Sequence, residues 1–294
     1  MNAVAIETAK DCFVRACTLD VMVRKPGNVS LVSEGHGMQA EQFLASARAA
    51  AGPLFVPGAR VGDRIEAAVE ATWAVAGCNT NLGILLLCAP IARAVDVSDR
   101  FHEKRTLRAS LEAVLADLDR NDARAAFRAI ARANPGGLGA APDQDVRDEP
   151  TVGLRAAMAL AADRDRVARQ YRDGYAEIFA AIEPMRGIGF PPSSDESTDV
   201  VDEALVMAVQ RLYLRLLAQE PDSHIVRKHG EAVAHIVMRA AQDWQARAKS
   251  SIRLDDDADF AAWDESLKAA RINPGTTADL TVAALFLRGL ASAP

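Results

Sequence analysis

The 294-residue chain predicts an all-α fold, a single compact multi-helix domain over residues 1–294 with long functional loops. Three observations carry this. Aromatic residues are only 5% of a chain that is 50% hydrophobic, and alanine is abundant, which suits helices packed through small side chains. Apolar residues recur at helical spacing along most of the chain. No run of alternating strand residues and no hairpin signature interrupts them.

Residues 2–24 space Val4, Ala5, Cys12, Ala16, Leu19, Met22 and Val23 as one helical face, and Pro26-Gly27 breaks it. Helices are predicted over about 39–51, ended by Gly52-Pro53, and over 62–76. The segment Ala76–Pro90, AGCNTNLGILLLCAP, then sets two asparagines and a threonine at the head of a buried helix stopped near Pro90. Helices over 103–118 and 121–133 follow, the second with Asn121 as N-cap. Asn134–Gly153 is an irregular piece long enough to be functional. A single helix is predicted over Leu154–Ile182, with Leu154, Ala157, Leu160, Tyr171 and Tyr175 on its apolar seam. After GIGFPPSSDESTD come helices over 199–219, 224–249 and 257–271, and INPGTTADLTVAALFLRGL closes the chain.

The net charge of −6 and pI near 5.5 argue against a nucleic-acid-binding surface, yet a local cluster of Arg and Lys can still hold an anionic small molecule. No apolar stretch is long enough to span a membrane, and Cys12, Cys17, Cys78 and Cys88 form no CxxC pair, so a cytoplasmic protein is expected. The standard nucleotide, zinc-protease and hydrolase signatures are absent.

Four places carry out-of-place polar residues. Arg24-Lys25-Pro26-Gly27-Asn28 is a basic pair at a sharp break, where Lys25 meets a phosphate or merely ends a helix. Asn79-Thr80-Asn81, between Gly77 and Gly83, either caps a kink or contacts a ligand. Asp163-Arg164-Asp165-Arg166 places Arg164 on the apolar seam, which requires a partner for it: Asp145, Asp279 or a bound phosphate. With Asp143 and Asp145 of the preceding loop, these aspartates also fit a Mg²⁺–nucleotide site. Asp222-Ser223-His224-Ile225-Val226-Arg227-Lys228-His229-Gly230 gathers cations and histidines at a helix start, for an anion or for the surface.

In chain order, KPGNVS at 25–30, FLASA at 43–47, GCNTNLG at 77–83, DSHIVRKHG at 222–230 and INPGTTADL at 272–280 resemble the triphosphoribosyl-dephospho-CoA synthase family. The resemblance implies an all-helical transferase that uses ATP with Mg²⁺ and 3′-dephospho-CoA, releases adenine, and joins the triphosphoribosyl group to a ribose 2′-hydroxyl. Small-molecule substrates are thus the partners implied; a homodimer is left open. Carried onto this chain, Lys25, Arg227 and Lys228 would bind phosphates, with Gly27, Asn28, Thr80, Gly83, Arg164, Asn273 and Asp279 also at the substrate. Asn79 and Asn81 would orient ribose or base. Asp145, Asp163 and Asp165 would hold Mg²⁺, the last two also stabilising the ring. Asn81 and Leu82 stand where the family pattern reads His-Lys, and Gly37 where it has an aspartate. The NPGGLG…DQDV loop and AADRDRVARQY resemble a branch linked to tetrahydromethanopterin one-carbon metabolism, so another acceptor is the alternative. A non-catalytic nucleotide-binding helical protein is the reading from a different class.

Overall fold

Fourteen α-helices and two short 3₁₀ turns account for the regular structure of this computed structural model, which describes residues 3–98, 103–136, 143–190, 202–248 and 253–292. They are α1 Ala3–Met22, α2 Ala40–Leu54, α3 Val61–Ala76, α4 Leu82–Asp96, α5 Lys104–Ala116, α6 Arg120–Ala133 and α7 Leu154–Ala161. There follow α8 Arg166–Arg172, α9 Ala176–Ala181, α10 Glu203–Gln219, α11 Ser223–His229, α12 Glu231–Arg247, α13 Ala258–Ala269 and α14 Gly275–Leu290. Among the described residues the only β-type pairing is two isolated bridges in the loop after α1. No described helix is long and apolar enough to cross a membrane.

The helices close on two adjoining apolar clusters. The larger takes α1 to α6 with α8, α9 and most of α14; the smaller is built by the far face of α10 with α11, α12 and α13. Helix α14 serves both, since Ala278 belongs to the small cluster and Leu280–Leu290 to the large one. A helix buried nearly all round reads as a continuous apolar run. That is what TVAALFL and LGILLLCAPIA are, in α14 and α4.

Two prolines do not end their helices. Pro53 lies in the last turn of α2, and α4 continues through Pro90 to Asp96. Proline at 90 has no N–H to give the carbonyl of Leu86, one turn back, and its ring crowds that turn. The carbonyls find other donors: the Tyr171 hydroxyl donates to Leu86 O at 2.6 Å and the Tyr175 hydroxyl to Leu87 O at 2.9 Å. Both tyrosines are fully buried.

The single helix predicted over 154–182 is instead three. Asp165 leaves helical geometry and accepts from the N–H groups of Val167 and Ala168, so the charged tetrad is a break with its own N-cap. Gly174 (φ 61°) and Tyr175 (φ 58°) make the second break. A Cβ at Gly174 would also meet Glu112 Oε2 at 2.6 Å. The seam inferred across 154–182 therefore fails at Arg164, and the buried arginine is Arg166, paired with Glu177 and Leu216 O. Likewise Gly230 (φ 86°) splits 224–249 into α11 and α12. Asp119, two residues before the predicted Asn121, caps α6.

The join that matters for the site is Asp222, which is 0% exposed. Its Oδ1 accepts from His224 and Ile225 N–H at 2.8 and 3.1 Å, starting α11. Its Oδ2 accepts from the Thr277 N–H and hydroxyl, both at 2.7 Å, in the first turn of α14.

Two stability outcomes follow from these contacts. Tyr171→Phe strands the Leu86 carbonyl and should cost about 1–3 kcal/mol in denaturant titration. In a Pro90→Ala background the cost should shrink, because the restored N–H at position 90 can bond that carbonyl. Asp222→Ala removes two helix caps at once, for about 1–4 kcal/mol at the usual range per cap; a change within error would show that neither cap matters.

Candidate active site

A cavity of about 680 Å³ opens where α4, α8, α11 and α14 all begin. The starts of α8 and α11 are closed by their own aspartates, Asp165 and Asp222. Helices α4 and α14 have no side-chain cap from their N-cap residues. Their Gly83, Ile84, Gly275 and Thr276 line the cavity, and none of these four N–H groups has an acceptor among the described residues. Open helix starts of this kind attract anions through free N–H groups and the helix dipole.

The asparagine segment divides its work. Asn79 Oδ1 accepts from the Leu82 N–H at 3.1 Å, starting α4, and Thr80 donates to Ser46 Oγ of α2 at 2.7 Å. Asn81 is 5% exposed and its side-chain Nδ2 has no partner, although the residue lines the cavity. An unpartnered buried amide beside a cavity points to a ligand.

The KPGN and INPG stretches are one structural unit. Gly27 (φ 78°) packs so closely that a Cβ would come within 2.8 Å of Pro274 Cδ and 2.9 Å of Ile272 O, and its N–H donates to Asp264 at 2.8 Å. Asn28 Nδ2 donates to Asn273 Oδ1 at 3.1 Å, and both asparagines line the cavity. Lys25 is 0% exposed and does not line it. Its ammonium is held by Asn28 Oδ1 at 3.0 Å, by Asp20 Oδ1 at 3.1 Å and by the Asp20 carbonyl. A direct phosphate contact by Lys25, one of the two sequence readings, is thus displaced by a buried ion pair.

Cations come from α11 and the turn after α7. Arg227 donates to Gly136 O at 3.1 Å and sits 3.6 Å from Asp165 Oδ2; Lys228 is exposed on the rim. Arg164 is exposed rather than buried. It shares the cavity with Asp165 and the Asp143–Val146 loop, but pairs with neither Asp145 nor Asp279.

The metal triad expected from sequence does not assemble. Asp163 is 96% exposed and paired with Arg172, because the helix break turns it to solvent; Asp145 is clasped at both oxygens by Arg147. Among the described residues no group of three metal-binding side chains gathers. Of the three, Asp145 and Asp165 line the cavity and Asp163 does not.

The structure adds residues the sequence reading missed. Asp20 (3% exposed), His36 and His224 line the cavity, which Asp279, already marked by the sequence, shares with them. Burial, then the neighbouring charges of Asp20, Asp222 and Asp165, push the Asp279 carboxyl well above the usual range. Gly83 makes room for it: a Cβ there would lie 2.0 Å from Asp279 Oδ2. His224 is driven down to about 3, first by burial and then by Lys228 and Arg227, so its imidazole is neutral. Burial also lowers His36, whose Nε2 lies 2.8 Å from Gly27 O. Only His224, inside DSHIVRKHG, stood in a quoted motif; Asp20 has no local signature.

The lining also has an apolar part, with Phe43, Leu82, Phe127, Ile130 and Met158.

Among solved structures, one from Archaeoglobus fulgidus, provisionally named a triphosphoribosyl-dephospho-CoA synthase, is similar at a TM-score of 0.62. The match covers 85% of this chain and 98% of that one at 22% identity, which shows a shared fold. No curated protein matches the chain in sequence. The family model for ATP:dephospho-CoA triphosphoribosyl transferase (CitG) matches residues 6–293, nearly end to end. The chain therefore belongs to that family of transferases.

Proposed function

We propose that this chain transfers the triphosphoribosyl group of ATP to a hydroxyl of dephospho-CoA, releasing adenine. The observation that carries the reading is the pair of open helix starts, α4 and α14, set beside Arg227 and Lys228 in a cavity that also holds carboxylates. Free N–H groups and cations suit a polyphosphate. The carboxylates suit the positive charge that builds on a ribose ring as its glycosidic bond breaks.

In this reading Arg227, Lys228 and Arg164 bind the triphosphate with the Gly83, Ile84, Gly275 and Thr276 N–H groups. Asn28, Asn81 and Asn273 orient ribose hydroxyls or base. The neutral His224 can donate or accept a hydrogen bond without adding charge. Mg²⁺ fits only as a companion of the triphosphate, with Asp165 among the cavity carboxylates that would touch it; when bound it would neutralise phosphate charge. Asp279, whose carboxyl is pushed up by burial and by neighbouring carboxylates, gives its proton to the departing adenine.

One observation favours a second acceptor. Leu82, 7% exposed, joins Phe43, Phe127 and Met158 on the apolar wall at the place where the family pattern carries lysine. That wall suits a flat, weakly charged ring such as a pterin.

Incubation with ATP, Mg²⁺ and dephospho-CoA should liberate adenine, read by chromatography. Adenine appearing only with a pterin acceptor selects the second reading, and ADP or AMP as the sole products excludes ribosyl transfer. The rate should fall as pH rises through the elevated Asp279 value, since the proton donor is then lost. Asp279→Asn should flatten that alkaline limb and lower kcat by about 10²–10⁴-fold, the usual range for general acid catalysis.

A further inference from the structure

The buried pair of Asp20 and Lys25 adjoins the cavity, and no step above uses it. Asp20 stands near the end of α1 and lines the cavity, while Lys25 lies behind it, out of reach of any ligand there. Burying an ion pair is weak evidence for stability, because desolvation offsets most of the attraction. Its retention beside a site calls for another account.

The geometry supplies one. Lys25 Nζ sits 3.1 Å from Asp20 Oδ1 and is itself fixed by the Asp20 carbonyl and by Asn28 Oδ1 at 3.0 Å. Asn28 is locked in turn by its bond to Asn273. Asp20 Oδ2 accepts no hydrogen bond among the described residues. The other carboxylates of the cavity are otherwise engaged or unanchored. Asp145 is taken by Arg147, Asp165 caps α8 through Oδ1 and has Arg227 near Oδ2, and neither Asp143 nor Asp279 has a donor holding it among the described residues. Asp20 is the one whose position is set by a chain of buried contacts.

We propose that Asp20 is the carboxylate that faces the ribosyl cation as the bond to adenine breaks, and that Lys25 is its positioning residue. The inference rests on the triphosphoribosyl-transfer reading. In the step, the C1′–N9 electron pair leaves with adenine and a ring-oxygen lone pair shares the positive charge left on C1′. The acceptor hydroxyl oxygen then bonds C1′, and the proton it sheds balances the one adenine takes up. Asp20 forms no bond; burial pushes its carboxyl up and the Lys25 ammonium beside it acts in the opposite direction, favouring the charged form. A fixed charge aimed at the developing cation works without reorganisation at the moment of reaction.

The test measures adenine release for the wild type, Asp20→Asn, Lys25→Met and the double variant. Asp20→Asn should lower kcat by about 10²–10³-fold, the scale for losing one preorganised electrostatic contact, with the KM for ATP unchanged. Lys25→Met should shift the same parameter, and the double variant should be no slower than Asp20→Asn alone. A raised KM with kcat intact in Lys25→Met would make Lys25 a phosphate ligand and overturn the proposal, as would wild-type kcat in Asp20→Asn. Calorimetry gives an arm that needs no turnover, with a pyrrolidine analogue of ribose triphosphate whose protonated ring nitrogen mimics the cation. The wild type should prefer it to plain ribose triphosphate, and Asp20→Asn should lose that preference; equal preference in both proteins overturns the role of Asp20. A wild type that releases no adenine with any acceptor removes the transfer reading separately, and the calorimetric comparison still decides Asp20.

Discussion

Asp222 gives one oxygen to the first turn of α11 and the other to the first turn of α14, and it does so with no exposure to solvent. A buried carboxylate that accepts four hydrogen bonds is a rigid joint. Through it the histidine and cations of α11 are held in register with the open N–H groups of α14. Because α14 is packed nearly all round by both apolar clusters, that register is tied to the core of the whole molecule. The polar wall of the cavity therefore rests on two residues far apart in sequence, Asp222 and Thr277, and on the helix that runs between the clusters.

A second set of long-range contacts fixes the opposite corner. Gly27 fits against Pro274 and Ile272, Asn28 against Asn273, and Asp264 receives the Gly27 N–H while bonding Lys268 at 3.0 Å. The tight approach leaves no space for a side chain at Gly27, so glycine there is a packing requirement as well as a backbone one. Asp264 and Lys268, one helical turn apart in α13, thus reach the site only through backbone they support.

Much of this was legible in the sequence at the level of segments, and less at the level of atoms. Helix periodicity located most of the elements, because burial of one face is a local property of the pattern. It joined α7, α8 and α9 into one because Tyr171 and Tyr175 keep the apolar spacing across both breaks. Those tyrosines are spaced for contacts with α4, whose freed carbonyls at Leu86 and Leu87 lie over eighty residues away. Nothing local announces such a partner, and for the same reason Pro90 reads as a stop. The candidate site shows the same division. Asn28, Asn81, Arg227, Asn273 and Asp279 were marked by motifs and all line the cavity. Asp163 and Lys25 were marked too, yet a helix break turns one to solvent and an ion pair buries the other.

The charge balance of the cavity shows how an acidic protein can gather cations and open helix starts in one place. Net charge acts at long range and is screened within about 8 Å at physiological ionic strength, whereas Arg227, Lys228 and the helix starts act within the cavity itself. The same short range allows opposite demands to coexist there. His224 is kept neutral by burial and then by the cations beside it, while burial and the carboxylates around it push the Asp279 carboxyl up. Burial and close neighbours together act on each group, so groups that suit phosphate and groups that suit a cation can share one cavity. The convergence of α1, α4, α11 and α14 brings cations, open N–H groups and carboxylates into one cavity, which is the combination the proposed transfer of a triphosphoribosyl group requires.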